Sequence, residues 1–129
     1  DAVCRDTVAS MSIKTPGLNQ IVKNLSGGNQ QKISVGKWLA ADCQILIIDE
    51  PTIGVDIGAK DQIHHLIRDL AQKQRKAVIL ISSDMPEIIK LANRILVFRH
   101  GRIVGEIDDV DNPARGYKDI STAIGTHLR

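Results

Sequence analysis

Two stretches of this 129-residue chain combine residue types that could bind phosphate or hydrolyse a bond. The first, Asp49-Glu50-Pro51, follows an apolar run, and a carboxylate pair at that point would lie at the sheet edge where α/β folds bind ligands. Asp49 could hold Mg²⁺ directly or through water, because this hard cation prefers oxygen ligands. Glu50 could take a proton from an attacking water. The alternative is an ordinary solvated turn between a strand and its loop.

The second stretch, Asn24 to Lys32, places a serine and two glycines before a helix. Ser26 offers a hydroxyl, the glycines let a ligand approach the backbone, and the N–H groups of the first helical turn favour an anion. The same residues also fit an ordinary N-terminal cap, since serine commonly caps helices. The stretch therefore leaves two interpretations open, phosphate binding and helix capping.

The pattern GxxxxGK[ST], which would cradle the phosphates of a nucleotide, does not occur in the 129 residues. Gly36-Lys37 fails as a match, because Gln31 stands at the position of the leading glycine and Trp38 at the position of the magnesium-binding Ser or Thr. A chain with a carboxylate pair and no such loop is predicted not to hold a nucleotide tightly by itself.

Other candidate ligands are less convincing. His64 and His65 are adjacent and point to different sides of a helix, so we expect both at the surface. Residues 109–113 break the calcium-loop pattern at its third ligand. Cys4 and Cys43 lie in unlike contexts without metal-binding spacing, which indicates neither a disulfide nor a zinc site and favours a reducing compartment.

The predicted elements that position these residues form a βαβ unit. Gln44–Asp49 and Ala77–Ser82 are apolar runs without alternation, typical of strands buried on both faces of a parallel sheet. The helix between them has apolar residues at helical spacing, which are Ile63, Leu66, Ile67, Leu70 and Ala71. Asp84 is predicted to cap a further helix with Pro86 in its first turn and Glu87 three residues on, and with a buried stripe of Met85, Ile88, Ile89 and Ala92.

The rest of the chain is predicted to be a hairpin, a loop and short helices. His100-Gly101 separates two apolar runs, as in a two-residue turn, so the sheet should end in an antiparallel ribbon over 95–106. Residues 108–116 read as a polar connection and Tyr117–Leu128 as a terminal helix. At the other end, Asp1–Met11 should contain one or two helical turns, followed by a loop.

Composition disfavours two classes of partner. The hydrophobic fraction of 43% is enough for one globular core without disulfide or metal. The net charge of +2 comes from interspersed charges, and aromatic residues are only 2%, so nucleic acid and membrane lipid are disfavoured as partners. The sequence contains neither a membrane-spanning run nor a signal segment. Because the chain begins at Asp1 without methionine, we expect it to be a piece of a longer polypeptide.

Three motifs in order resemble those of an ATP-binding cassette (ABC) ATPase, over about residues 20–106. "LSGGNQQK" resembles the signature motif, "ILIIDEPTIGVD" the Walker B motif with the D-loop, and "VILISSD" the switch strand. Three segments, "KTPGLNQ", "DEPTIGVDIGAK" and "ISSDMPEI", are similar in sequence to the second nucleotide-binding domain of bacterial monosaccharide importers of the ribose/xylose/galactose type. Proteins of that type carry two cassettes in one polypeptide.

The resemblance implies a partial ABC ATPase domain with the α/β, P-loop NTPase-like fold, in which helices flank a mostly parallel sheet and a C-terminal antiparallel hairpin follows. Residues 1–129 would form this single partial domain, without the strand and loop of the Walker A motif. Its parts would be the signature helix 25–42, the Walker B motif and D-loop 45–56, the switch strand 77–83, the hairpin 95–106 and the tail 107–129.

The resemblance also implies roles for individual residues. Asp49 would serve Mg²⁺, Glu50 would be the catalytic base, and Asp56 would reach across a dimer of cassettes. Ser83 stands where the family has a histidine that binds the γ-phosphate, which predicts a weak site around Asp49 and Glu50. The residues that would contact ATP held on the opposite cassette are Leu25, Ser26, Gly27, Gly28, Asn29 and Gln30.

The function implied is a subunit that couples ATP hydrolysis to sugar import. It would lie peripherally on the cytoplasmic side of the bacterial inner membrane, with a second nucleotide-binding domain, transmembrane permease subunits and, indirectly, a sugar-binding protein as partners. The alternatives are a soluble ABC-type ATPase acting on ribosomes or DNA, and a non-enzymatic interaction module. The isolated chain should be inactive for lack of the phosphate loop, and an exposed sheet edge should let it self-associate.

Overall fold

The computed structural model describes residues 2–129 and divides them into two compact units, one ending at Ile81 and the other spanning 82–129. In the first unit, helix α1 is Ala2–Ser10, α2 is Gly27–Ala40 and α3 is Ile57–Gln72, with a short 3-10 helix at Val22–Asn24. Strand β1 is Ile45–Asp49 and β2 is Ala77–Ile81. In the second unit, helix α4 is Met85–Leu91 and α5 is Tyr117–Leu128. Strand β3 is Ile95–Arg99 and β4 is Arg102–Ile107.

The first unit contains the predicted βαβ arrangement. Strands β1 and β2 pair in parallel, from Ile45 opposite Ala77 to Asp49 opposite Ile81, and α3 connects them. The prediction that both faces of these strands are buried is wrong. Leu46 and Ile48 are buried, but Ile45 and Ile47 are 64% and 68% exposed. Alternate residues of a strand point to opposite faces, so one face packs against the unit's core while the other meets solvent in this part of the chain.

Helix α3 buries most of the predicted apolar stripe and one residue beyond it, whereas Leu66 is half-buried and Ala71, at the end of the stripe, is exposed. Ile63, Ile67 and Leu70 are buried as expected. His64 is only 3% exposed, so the prediction of a surface histidine is wrong, whereas His65 is exposed. His64 lies at the flank of the stripe, three residues before Ile67. The packed face of a helix includes such flanking positions when neighbouring elements cover them.

Close packing of α1 on α2 explains why position 36 is a glycine, although Gly36-Lys37 is not part of a phosphate-binding loop. A Cβ atom on Gly36 would lie 2.6 Å from Cγ2 of Thr7 and 2.9 Å from the sulfur of Met11. The glycine is therefore required by the approach of two helices. The buried residues of this core are Met11, Ile13, Val35 and Leu70.

The second unit is the predicted hairpin with α5 packed on it. His100 and Gly101 both have positive φ, 51° and 73°, which is the geometry of the predicted two-residue turn. Helix α5 has the predicted limits. The buried core of the unit consists of Ile95, Val97, Ile107, Val110, Ile120 and Ile124.

The hairpin does not extend the parallel sheet, contrary to expectation. Strands β1 and β2 form one two-stranded sheet, and β3 and β4 form another. The reason is that β3 finds its hydrogen-bonding partner locally, in β4, and its apolar partners in α5. Among residues 2–129, no helix combines the length and the apolar character needed to cross a membrane.

Candidate functional site

The Ser26-Gly27-Gly28 stretch begins α2, but Ser26 is not an ordinary serine cap. It occupies the N-cap position with extended backbone, and among residues 2–129 its side chain makes no capping hydrogen bond. Instead, the Oγ atom of Ser26 accepts a hydrogen bond of 2.8 Å from Nδ2 of Asn29. The first-turn N–H groups of α2 are therefore not taken up by this hydroxyl, which favours the anion-binding interpretation over capping.

Asn29 and Gln30 use their side chains to hold neighbouring backbone. Oδ1 of Asn29 accepts a hydrogen bond of 2.9 Å from the backbone N–H of Lys14. Nε2 of Gln30 donates to the carbonyl oxygen of Leu25 at 2.7 Å. Both residues were predicted to contact nucleotide. In the structure they fix the conformation of the stretch that contains Ser26.

Gly27 and Gly28 bring the start of α2 against the residues that follow β1. A Cβ atom on Gly28 would lie 2.5 Å from the Cβ atom of Ala59, closer than two carbon atoms can approach. A Cβ atom on Gly27 would lie at ordinary contact distance, 3.4 Å from the carbonyl oxygen of Gly54. The predicted signature and D-loop residues thus lie side by side, although they are far apart in sequence.

Asp56 caps helix α3. Its Oδ1 atom accepts a hydrogen bond of 2.9 Å from the backbone N–H of Ala59, and Gly54, two residues earlier, has a φ of 71°. The carboxylate predicted to reach across a dimer therefore has a structural role within its own chain. The cap fixes where α3 begins, and so fixes the position of Ala59 beside Gly28.

Asp49 and Glu50 lie at the carboxyl end of β1, as predicted. Asp49 is exposed, and the backbone N–H of Glu50 donates to the carbonyl oxygen of Ile81 at 2.8 Å. Glu50 has a φ of 45°, which is uncommon for a residue with a side chain. From there the chain turns directly into the D-loop, since the N–H of Ile53 donates to the carbonyl oxygen of Glu50 at 3.3 Å.

A buried lysine supports the signature stretch and was not predicted from the sequence. Lys32 is 4% exposed, and its Nζ atom donates to the carbonyl oxygen of Ser12 at 3.1 Å and to Oε1 of Gln62 at 2.7 Å. Burial lowers the pKa of Lys32, and the charge of Lys14 acts in the same direction. The spacing contained a signal, because Lys32 falls on the stripe of buried α2 residues, Gly28, Lys32, Val35 and Gly36.

The serines after β2 belong to the second unit, where the predicted helix cap is confirmed. Asp84 caps α4, and its Oδ1 atom accepts from the backbone N–H of Glu87 at 3.1 Å. The Ser82 hydroxyl accepts from the N–H of Asp84 at 3.0 Å and donates to Oε2 of Glu87 at 2.6 Å. Ser83, at the position predicted to have lost a histidine, is exposed.

Metal binding would have to use few ligands from this chain. Within residues 2–129, no group of three or more His, Cys, Asp or Glu side chains is arranged to hold a metal ion. Asp49 offers one exposed carboxylate at the sheet edge, which fits a single oxygen ligand, or a contact through water, to Mg²⁺.

Comparison with solved structures identifies the fold. The chain superposes with a TM-score of 0.73 on a dimeric ATP-binding cassette in a post-hydrolysis state bound to ADP and Pi, with 23% sequence identity. The match covers 89% of this chain and 47% of that one. The architecture is therefore that of part of an ABC ATPase cassette, α/β with a parallel strand pair, helices and an antiparallel hairpin.

Comparison of sequences gives the family. Residues 3–53 match the family described as ABC transporter. The chain is 52% identical over 101 residues to an arabinose import ATP-binding protein of Yersinia pestis, covering 78% of this chain and 19% of that protein. It is 51% identical over 105 residues to an Albidiferax ferrireducens protein assigned by name to ribose, galactose and methyl galactoside import, covering 81% and 21%.

The chain belongs to the ABC transporter family, in agreement with the resemblance of its motifs. It spans about a fifth of the length of the curated relatives it matches, 21% and 19% of the two described.

Proposed function

We propose that this chain is part of the ATP-hydrolysing subunit of a bacterial sugar importer. The observation that carries the proposal is its 51–52% identity, over about four fifths of its length, to proteins named as sugar import ATP-binding proteins. Because the chain spans about a fifth of those proteins, the activity belongs to a longer polypeptide or assembly in which a phosphate-cradling loop is present.

Within that assembly, the chain supplies one face of an ATP site. The N–H groups at the start of α2 and the Ser26 hydroxyl bind the γ-phosphate of ATP held by a second cassette. The absence of a capping bond from Ser26, in the part of the chain that the structure describes, supports this role. Preorganised donors of this kind stabilise the charge that develops in the transition state. The shape of this surface is set by three uncharged residues, Leu25, Asn29 and Gln30.

The carboxyl end of β1 supplies two carboxylates, those of Asp49 and Glu50. Asp49 would hold Mg²⁺ through one carboxylate, directly or through water, and most of the coordination would come from water and phosphate. Glu50 would act as the base toward water. Ser83 replaces the histidine that the resemblance implies, and serine cannot become cationic. We therefore assign the weaker of two ATP sites to Asp49 and Glu50.

The proposed partners follow from the same relatives. A second nucleotide-binding domain completes the ATP site, transmembrane permease subunits receive the conformational change, and a sugar-binding protein delivers substrate to them. The chain would then be held at the cytoplasmic face of the inner membrane through protein contacts. A soluble ATPase acting on ribosomes or DNA and a non-enzymatic module gain no support from the relatives described.

The proposal is tested by ATP-dependent sugar uptake in cells carrying the complete polypeptide that contains this chain. Replacing Ser26 with alanine should lower uptake by roughly 10- to 100-fold, the effect of losing one charge-assisted hydrogen bond. Ser34→Ala is the matched control, since Ser34 is an exposed serine on the same helix. Uptake at the wild-type rate in the Ser26→Ala strain would overturn the proposal.

A further inference from the structure

A loop leaving α1 is clamped between α2 and α3 by the buried Lys32. Ser12, just after α1, has a φ of 49°, and its carbonyl oxygen accepts from Nζ of Lys32 at 3.1 Å. The same nitrogen donates to Gln62 of α3 at 2.7 Å. A cation at the C-terminal end of a helix also interacts favourably with the helix dipole. One amine thus joins three helices at the start of this loop.

The loop continues from this clamp directly to Asn29. Met11 and Ile13 are buried on either side of Ser12, which anchors the loop in the core. The next residue, Lys14, donates its backbone N–H to Oδ1 of Asn29 at 2.9 Å. The position of this N–H is therefore set by the contacts of residues 11–13.

The Lys14 contact determines which way the Asn29 amide faces. A backbone N–H can only donate, so the Asn29 atom beside it is the carbonyl oxygen and the NH₂ group faces Ser26. Nδ2 then donates to Oγ of Ser26 at 2.8 Å. Because Oγ accepts this bond, the single O–H proton of Ser26 remains a donor that can point to an anion.

We propose that Lys32 and the loop 12–14 are positioning elements that orient the Ser26 hydroxyl toward phosphate, with the Asn29 amide as the connecting group. The inference rests on the proposed function, in which Ser26 donates to the γ-phosphate. Neither Lys32 nor the loop touches the nucleotide in this scheme. Supporting groups of this kind typically change activity by roughly 10- to 100-fold when they are removed, as established for partners that orient metal ligands.

The first experiment measures ATP turnover by the complete polypeptide in its transporter complex. Lys32→Met should lower kcat about tenfold and leave KM within about twofold, because the orientation of Ser26 matters most in the transition state. Lys32→Arg, which retains a donor, should recover most of the turnover. Lys37→Met is the matched control, an exposed lysine on the same helix, and should behave as wild type.

Asn29→Asp tests the connecting group without disturbing the lysine. The carboxylate still accepts from the N–H of Lys14 but has no NH₂ group, so it would accept a hydrogen bond from the Ser26 hydroxyl, which then no longer donates to an anion. We expect kcat to fall at least as far as in Lys32→Met. Wild-type kcat in Asn29→Asp overturns the inference, whether or not Lys32→Met folds.

A second measurement is independent of ATP hydrolysis. Hydrogen exchange of the Lys14 amide, followed by NMR in the 129-residue chain, should accelerate at least about tenfold in Asn29→Ala and Lys32→Met and not in Lys37→Met. Unchanged exchange overturns the inference alone. If Ser26→Ala turns over ATP like wild type while exchange responds as expected, the proposed function fails and the inference fails with it, since no phosphate contact remains to be positioned.

Discussion

The start of α2 and the carboxyl end of β1 both lie in the first unit and carry the two halves of the proposed chemistry, but they are built differently. At the start of α2, Ser26, Asn29 and Gln30 are fixed by hydrogen bonds to one another and to nearby backbone. At the end of β1, Asp49 is exposed, and the strand shows Ile45 and Ile47 to solvent. The chain by itself therefore specifies the donor surface, while the carboxylate site requires further structure around it.

The largest expected effect comes from disturbing the contact between the start of α2 and the start of α3, the helix that follows β1 along the chain. Gly28→Asp should abolish uptake in the complete protein and lower the stability of the chain by about 1–3 kcal/mol, the usual cost of overpacking. The reason is steric, since a Cβ atom at this position meets Ala59 at 2.5 Å. Thermal unfolding of the chain measures the effect.

Two variants test whether the close contact at Gly28 is the cause of the lost stability. Gly17→Ala is the control, because a Cβ atom there meets nothing within 4 Å. Combining Gly28→Ala with Ala59→Gly relieves the clash and should recover part of the stability lost in Gly28→Ala. If the double variant is no more stable than Gly28→Ala, the close contact is not the cause.

A smaller effect should distinguish the start of α2 from the carboxyl end of β1 by what each contributes to sugar uptake. In the complete protein, Ser26→Ala should reduce uptake roughly 10- to 100-fold, whereas Glu50→Gln should reduce it by less than about threefold. The difference is expected under the proposed function, because serine stands at position 83, where the family resemblance implies a histidine, and serine cannot become cationic. Initial rates of sugar uptake at equal protein levels measure both. Equal losses would show that the two ATP sites contribute alike.

The smallest effect concerns the uncovered face of β1. Two exposed isoleucines on one strand face, with Ile79 and Ile81 exposed on β2, should make the chain self-associate weakly. Replacing both Ile45 and Ile47 with threonine should weaken association by more than about tenfold, since roughly 0.8 kcal/mol is lost for each of the two apolar groups no longer buried. Sedimentation velocity over a range of concentrations measures it.

Ile53→Thr with Ile57→Thr is the matched control for the strand face, because both isoleucines are exposed but lie outside the sheet. A wild-type chain that stays monomeric at high concentration would contradict the prediction. Equal weakening in the control would assign association to general hydrophobicity.

Several features were determined by local sequence. The apolar runs of β1 and β2, the cap at Asp84 and the turn at His100-Gly101 depend on residues within a few positions of one another, and all were predicted and are confirmed. The family could also be predicted, because its motifs are short and contiguous. The roles of the individual site residues remain predictions, which the proposed variants test.

Only the tertiary structure decided which groups those local elements place together. Sequence did not reveal that His64 and Lys32 are buried, that one face of β1 is exposed, or that the hairpin forms a sheet of its own. It also left open whether Ser26 caps its helix, which depends on Asn29 and, through it, on the backbone of Lys14. Most of these outcomes depend on how separate elements pack against one another, which motif spacing does not specify. Periodicity gave a signal only for Lys32, which falls on the buried stripe of α2.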